Sequence, residues 1–218
     1  MRSLADIAWP WNTLNWPNRI TLLRLLLVAP FVVLMMRQQQ RPLYRYVALG
    51  IFVAMALSDM ADGVLARRLG RSTRLGAILD PLADKTLIIC AAVLLALPGS
   101  SVRGAALPAW VAVLIVGKDL WVLVGFLVVF LLTGKVRVLP TRAGKACTVG
   151  QLAMVSAILL SPDLNRLGRE AGTHLARALW WAVAGLCLLS VVSYTRLGLS
   201  FVAEADQGGS SGQADRAA

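Results

Sequence analysis

Acidic residues are scarce in this chain, and four of them are spaced for chemistry. Of 11 Asp and Glu in 218 residues, Asp59, Asp62, Asp80 and Asp84 fall in one short stretch, each at the edge of an apolar run. Helix positions three or four apart share a face. Asp59 and Asp62 therefore stand together at the end of one helix, and Asp80 and Asp84 stand together in the first turns of the next. The arginine-rich segment 63–76 between them returns the chain, so the two helices form an antiparallel hairpin. Four carboxylates can then meet near one end. Like charges in a low-dielectric setting repel strongly. Converging carboxylates need a counter-charge, and hard divalent cations with oxygen ligands supply it. Two such ions about 3.5–4 Å apart are a common device for displacement at phosphorus. The competing reading is a salt-bridged loop, in which the aspartates pair with Arg67, Arg68, Arg71 and Arg74.

The elements that must hold these acids follow from composition. The chain is 58% hydrophobic and 15% charged, against about 45–50% and about 25% in soluble domains. That excludes an ordinary soluble enzyme and a disordered chain. A helix crossing a hydrocarbon core needs about 20 apolar residues. Apolar runs at 20–36, 43–57, 77–97, 107–132, 146–160 and 175–199 predict an all-α integral membrane protein with six transmembrane helices. Trp9, Trp11 and Trp16 predict an N-terminal interfacial segment over 1–19, too broken by charge and proline for a signal peptide. The membrane domain is expected over 20–202, and the Gly/Ser-rich stretch 203–218 reads as a disordered polar tail.

With 22 Lys and Arg, the formal charge is +11. A nucleic-acid binder would carry that charge on a soluble basic face, and none is apparent. In a membrane protein it reads as topology. The densest basic loops follow the second and fourth spans, which predicts N-in and C-in orientation and a cytoplasmic site for the acids. Asn18, Thr21 and Arg24 form a polar stripe at the start of the first span, expected to face the site rather than lipid. Cys90, Cys147 and Cys187 have no paired spacing and read as small buried hydrophobes.

The full string is Asp59-x2-Asp62-Gly63-x2-Ala66-Arg67-x8-Gly76-x3-Asp80-x3-Asp84. It resembles the signature of the CDP-alcohol phosphotransferases, an integral membrane family that makes phospholipids, and every position of that signature is filled. Asn15-Trp16-Pro17-Asn18-Arg19-Ile20-Thr21-Leu22-Leu23-Arg24 is similar to the family's opening segment. Leu79-Asp80-Pro81-Leu82-Ala83-Asp84-Lys85 resembles the phosphatidylglycerophosphate synthase and cardiolipin synthase branches.

The resemblance implies that an acceptor hydroxyl attacks CDP-diacylglycerol and CMP leaves. It implies Asp59, Asp62, Asp80 and Asp84 as ligands of two divalent ions, Mg2+ or Mn2+, with Asp84 also the general base. Gly63, Gly76 and Ala66 would allow close approach of helix or nucleotide. Arg67 would hold phosphate, and Thr73, Asn18 and Thr21 would line the CDP-lipid site. A homodimer is implied on family grounds alone.

The acceptor is addressed by Lys118-Asp119 in the fourth span and by the basic residues Lys135, Arg137, Arg142 and Lys145. These could hold an anionic alcohol such as glycerol 3-phosphate or phosphatidylglycerol. The rival classes are a transporter and a non-catalytic lipid-binding protein. No inverted repeat is apparent and the acids cluster at one end, which counts against the first. The intact motif counts against the second.

Overall fold

A computed structural model of the chain describes residues 16–69, 76–133 and 141–214; side-chain surroundings at 16–22, 24, 59–84, 126, 129–130, 132–133 and 201–214 lie outside that description. Among the described residues the regular elements are six helices: α1 Trp16–Arg37, α2 Pro42–Leu69, α3 Gly76–Ala96, α4 Ala109–Thr133, α5 Arg142–Arg166 and α6 Ala171–Ala214. They follow the six predicted runs in order, and no strand occurs among the described residues.

Two helices run past the apolar stretches that announce them. α2 continues from the apolar run through Gly63, Ala66 and Arg67 to Leu69. Good helix formers such as Ala, Leu and Arg carry that segment, and Ser58 satisfies its hydroxyl within the helix by donating to the Ala54 carbonyl at 2.8 Å. α6 continues to Ala214 across positions that composition reads as a disordered tail. That stretch holds no proline, so the local i to i−4 bonding is not interrupted.

The chain divides into two compact units, Met1–Ala106 and Leu107–Ala218. In the first, α1 packs against both α2 and α3, which touch each other less. Its core joins Val28, Phe31 and Met35 of α1 to Phe52 and Met55 of α2 and Ala91 and Leu95 of α3. The Phe31 and Phe52 rings lie 5.9 Å apart. One end is tied by side-chain amides. Gln38 donates to the Ser100 carbonyl, and Gln39 Nε2 donates to the carbonyls of Pro98 and Ser101, each at 3.0 Å. These bonds hold the start of α2 beside the end of α3, so the two helices run antiparallel.

In the second unit α6 packs against α5 and α4. The α5–α6 turn is tight: Gly168, Arg169 and Glu170 all take positive φ. Asn165 laces the turn, its Nδ2 donating to Thr173 Oγ1 at 3.0 Å and its Oδ1 accepting from Thr173 N at 3.1 Å. Pro162 cannot donate to the Ile158 carbonyl; Ser161 Oγ does so instead, at 2.7 Å. A Cβ on Gly172 would overlap the Ser161 backbone carbonyl, so only glycine fits this crossing. Trp121 Nε1 donates to Thr195 Oγ1 at 3.0 Å, joining α4 to α6.

Both units expose large apolar side chains. Leu26, Val113, Leu131 and Trp181 are each 69–71% exposed. Apolar exposure on this scale opposes an aqueous setting. α5, and α6 over Ala171–Ser200, are long and apolar enough to cross a membrane by length and composition.

Candidate functional site

Burial in the first unit runs in stripes. On α2 the buried positions are Arg45, Ala48, Phe52 and Met55, advancing by three and four. The next steps of the same register are 59, 62 and 66, which are Asp59, Asp62 and Ala66. On α3, Leu95, Ala91 and Ile88 are buried, and the register continues back to Asp84 and Asp80. On α1, Met35, Phe31 and Val28 are buried, and it continues back to Arg24, Thr21 and Asn18. Three apolar stripes thus turn polar at the end of the unit away from the glutamine ties.

Helical rise gives the depth of each position. Asp59 lies about 26 Å and Asp62 about 30 Å along α2 from Pro42, while Asp84 lies about 18 Å and Asp80 about 24 Å back along α3 from Ala96. Because Pro42 and Ala96 stand at the tied end, both aspartate pairs fall in the halves of α2 and α3 away from it. Gly63 and Arg67 lie in the last turns of α2, and Gly76 opens α3. Thr73, Lys135 and Arg137 lie outside the described residues.

The second unit holds its polar groups differently. Lys118 Nζ and Asp119 Oδ1 are 2.7 Å apart, with side chains 3% and 7% exposed. This pair, read from sequence as facing the acceptor, meets itself inside the unit. Cys147 and Gln151 of α5 and Cys187 of α6 are fully buried, and Gln151 Nε2 lies 3.7 Å from Cys187 Sγ. Among the described residues no group of three His, Cys, Asp or Glu is arranged to hold a metal.

Arg142 and Lys145 are exposed on the first turn of α5. Thr141 caps that turn, its Oγ1 accepting from Gly144 N at 3.0 Å. The positive end of a helix and two cations attract anions. Sequence reasoning missed Tyr194 of α6. A Cβ on Gly144 would lie 2.7 Å from the Tyr194 hydroxyl and 3.1 Å from Thr141 Oγ1. Gly144 leaves room for that phenol beside the basic turn. Nothing in the spacing flags a tyrosine 50 residues downstream.

Comparison with known proteins covers both units. The family profile of CDP-alcohol phosphatidyltransferases matches residues 14–196, a span that includes every candidate site residue. A Bacillus subtilis (strain 168) protein named CDP-diacylglycerol--glycerol-3-phosphate 3-phosphatidyltransferase is 32% identical over 156 residues, 67% of this chain and 77% of its own length. A Mycobacterium tuberculosis (strain H37Rv) protein named probable phosphatidylglycerophosphate synthase is 40% identical over 121 residues, 55% of each chain. A Mycobacterium bovis protein named putative cardiolipin synthase is 31% identical over 149 residues, 68% of this chain and 66% of its own. The spaced aspartates, the helical architecture and a match across both units agree, and the chain belongs to the CDP-alcohol phosphatidyltransferase family, enzymes of phospholipid biosynthesis.

Proposed function

We propose that this enzyme moves the phosphatidyl group of CDP-diacylglycerol to the hydroxyl of an anionic alcohol and releases CMP. Glycerol 3-phosphate is the first acceptor to test, and phosphatidylglycerol is the second. The observation that carries the reading is the register of α1, α2 and α3, whose buried stripes continue into Asn18, Thr21, Arg24, Asp59, Asp62, Asp80 and Asp84.

The donor set suits hard cations. Four carboxylates in the halves of antiparallel helices away from the tied end would repel one another without a counter-charge. Asp59, Asp62, Asp80 and Asp84 would hold two divalent ions, Mg2+ or Mn2+. Such ions, when bound, neutralise the diphosphate and stabilise charge developing on the leaving phosphate oxygen. Asp84 takes the proton of the acceptor hydroxyl as its oxygen bonds to the phosphorus bearing diacylglycerol, and the bond from that phosphorus to CMP breaks. Arg67 donates hydrogen bonds to the diphosphate. Gly63, Ala66 and Gly76, being small, admit the nucleotide or a neighbouring helix, and Thr73, Asn18 and Thr21 complete the CDP-lipid site. Arg142 and Lys145 on the capped turn of α5, with Lys135 and Arg137 before it, hold the acceptor's phosphate, and the Lys118–Asp119 pair supports that region from within.

All six helices cross the membrane with both termini inside, the active site opens to the cytoplasm, and the enzyme works as a homodimer. The deciding experiment supplies purified enzyme with labelled CDP-diacylglycerol and a panel of alcohols, and separates the lipid products. Phosphatidylglycerophosphate formed only with glycerol 3-phosphate supports the favoured acceptor. Cardiolipin formed from phosphatidylglycerol transfers the assignment to the other branch. Absence of CMP release with every alcohol, in the presence of Mg2+ and of Mn2+, overturns the reading.

A further inference from the structure

Cys147 on α5 and Cys187 on α6 are fully buried, 40 residues apart in sequence, and their Sγ atoms are 3.4 Å apart. The transfer reaction uses neither. We propose that they form a dithiol that closes reversibly to a disulfide between α5 and α6, with an organic hydroperoxide from the lipid phase as oxidant.

Three observations support the pairing. The sulfurs are already at van der Waals contact, so a small side-chain rotation approaches the bond length of about 2.05 Å. The helices are held close enough for it. A Cβ on Gly150 would lie 3.1 Å from Leu186 Cδ1, and Gly172 backs onto the Ser161 backbone. The third is a polar neighbour: the Gln151 amide points a donor at Cys187 Sγ, 3.7 Å away.

Burial selects the oxidant. Both cysteines lie within the two helices that are long and apolar enough to cross a membrane. A charged, bulky disulfide such as oxidised glutathione is poorly suited to enter there, whereas an apolar hydroperoxide partitions into lipid. One thiol loses its proton and attacks the distal oxygen of the hydroperoxide, and the O–O bond breaks. The alkoxide takes that proton to become an alcohol, leaving a sulfenic acid. The second thiol attacks that sulfur, the S–S bond forms, and hydroxide leaves as water with the second thiol's proton. Two thiols are oxidised and one hydroperoxide is reduced to an alcohol.

The test treats the purified enzyme with cumene hydroperoxide, in lipid nanodiscs and separately in detergent. Remaining thiols are then titrated with a maleimide, and tryptic peptides are mapped without reductant. The enzyme begins with three free thiols. Expected are a fall to one, with Cys90 still reduced, a linked peptide joining Cys147 to Cys187, and recovery of all three with dithiothreitol. Cys147→Ala and Cys187→Ala should each yield no linked peptide. Three persisting thiols in detergent, or sulfinic acids on the separate cysteines with no linked peptide, would overturn the pair. In nanodiscs, oxidised glutathione should close it at least tenfold more slowly than the hydroperoxide. Equal rates would overturn the lipid-phase oxidant, which rests on α5 and α6 lying in the bilayer.

Discussion

In the unit Met1–Ala106 the acidic positions gather where apolar stripes run out, whereas in Leu107–Ala218 a Lys–Asp pair closes on itself inside the core. The difference lies in how each set of charges is balanced. Charges at the end of a stripe can be balanced by what arrives, such as a cation or a phosphate. Charges inside a packed unit must be balanced by the chain, because burying an uncompensated ion is costly. On the proposed reading the first unit would carry the chemistry, and the second would supply a framework with an anion-attracting turn at one edge.

The largest test of that division is at Asp84. Asp84→Asn should lower CMP release by about a thousandfold, within the usual contribution of a general base, while thermal stability changes little. Full activity in this variant would break the assignment. Next is the internal pair. Lys118→Met removes the ammonium that balances buried Asp119, and should destabilise the protein by about 3–5 kcal/mol. The double variant with Asp119→Leu should recover much of the loss. Thermal unfolding in detergent reads both, and an unchanged single variant would show that the pair is not the internal balance described.

Smaller effects probe the scaffold of the second unit. Gly172→Ala places a methyl group against the Ser161 backbone, and the resulting overpacking should cost about 1–3 kcal/mol in the same melting experiment. Trp121→Phe removes one hydrogen bond to Thr195 and should cost about 0.5–1.5 kcal/mol. If the Trp121 variant melted lower than the Gly172 variant, the α4–α6 contact would outweigh the α5–α6 crossing, against the packing seen here.

The six helices were legible because long apolar runs have one economical fate, and prolines and polar turns separate them. Their ends were less legible. α2 passes through a charged segment because helix continuation depends on local backbone bonding, which apolar content does not report. The aspartates were legible as a spaced set. That both pairs fall in the halves of α2 and α3 away from one tied end was not, since it depends on Gln39 tying the start of α2 to the carbonyls of Pro98 and Ser101.

The second unit shows the limit most clearly. Spacing alone marked Lys118-Asp119 as a pair, yet left open whether it faced a substrate or itself. Cys147 and Cys187 looked unpaired, and Tyr194 carried no signal. Sequence by itself determined the helical class, the order of the elements and the acids with chemical spacing, because these depend on residue type and on separations of a few positions. Tertiary structure alone decided which distant side chains meet: Gln151 with Cys187, Cys147 with Cys187, Tyr194 with the space left by Gly144. Those meetings depend on how closely one helix can approach another, and on Gly172 and Gly150 at the crossing of α5 and α6.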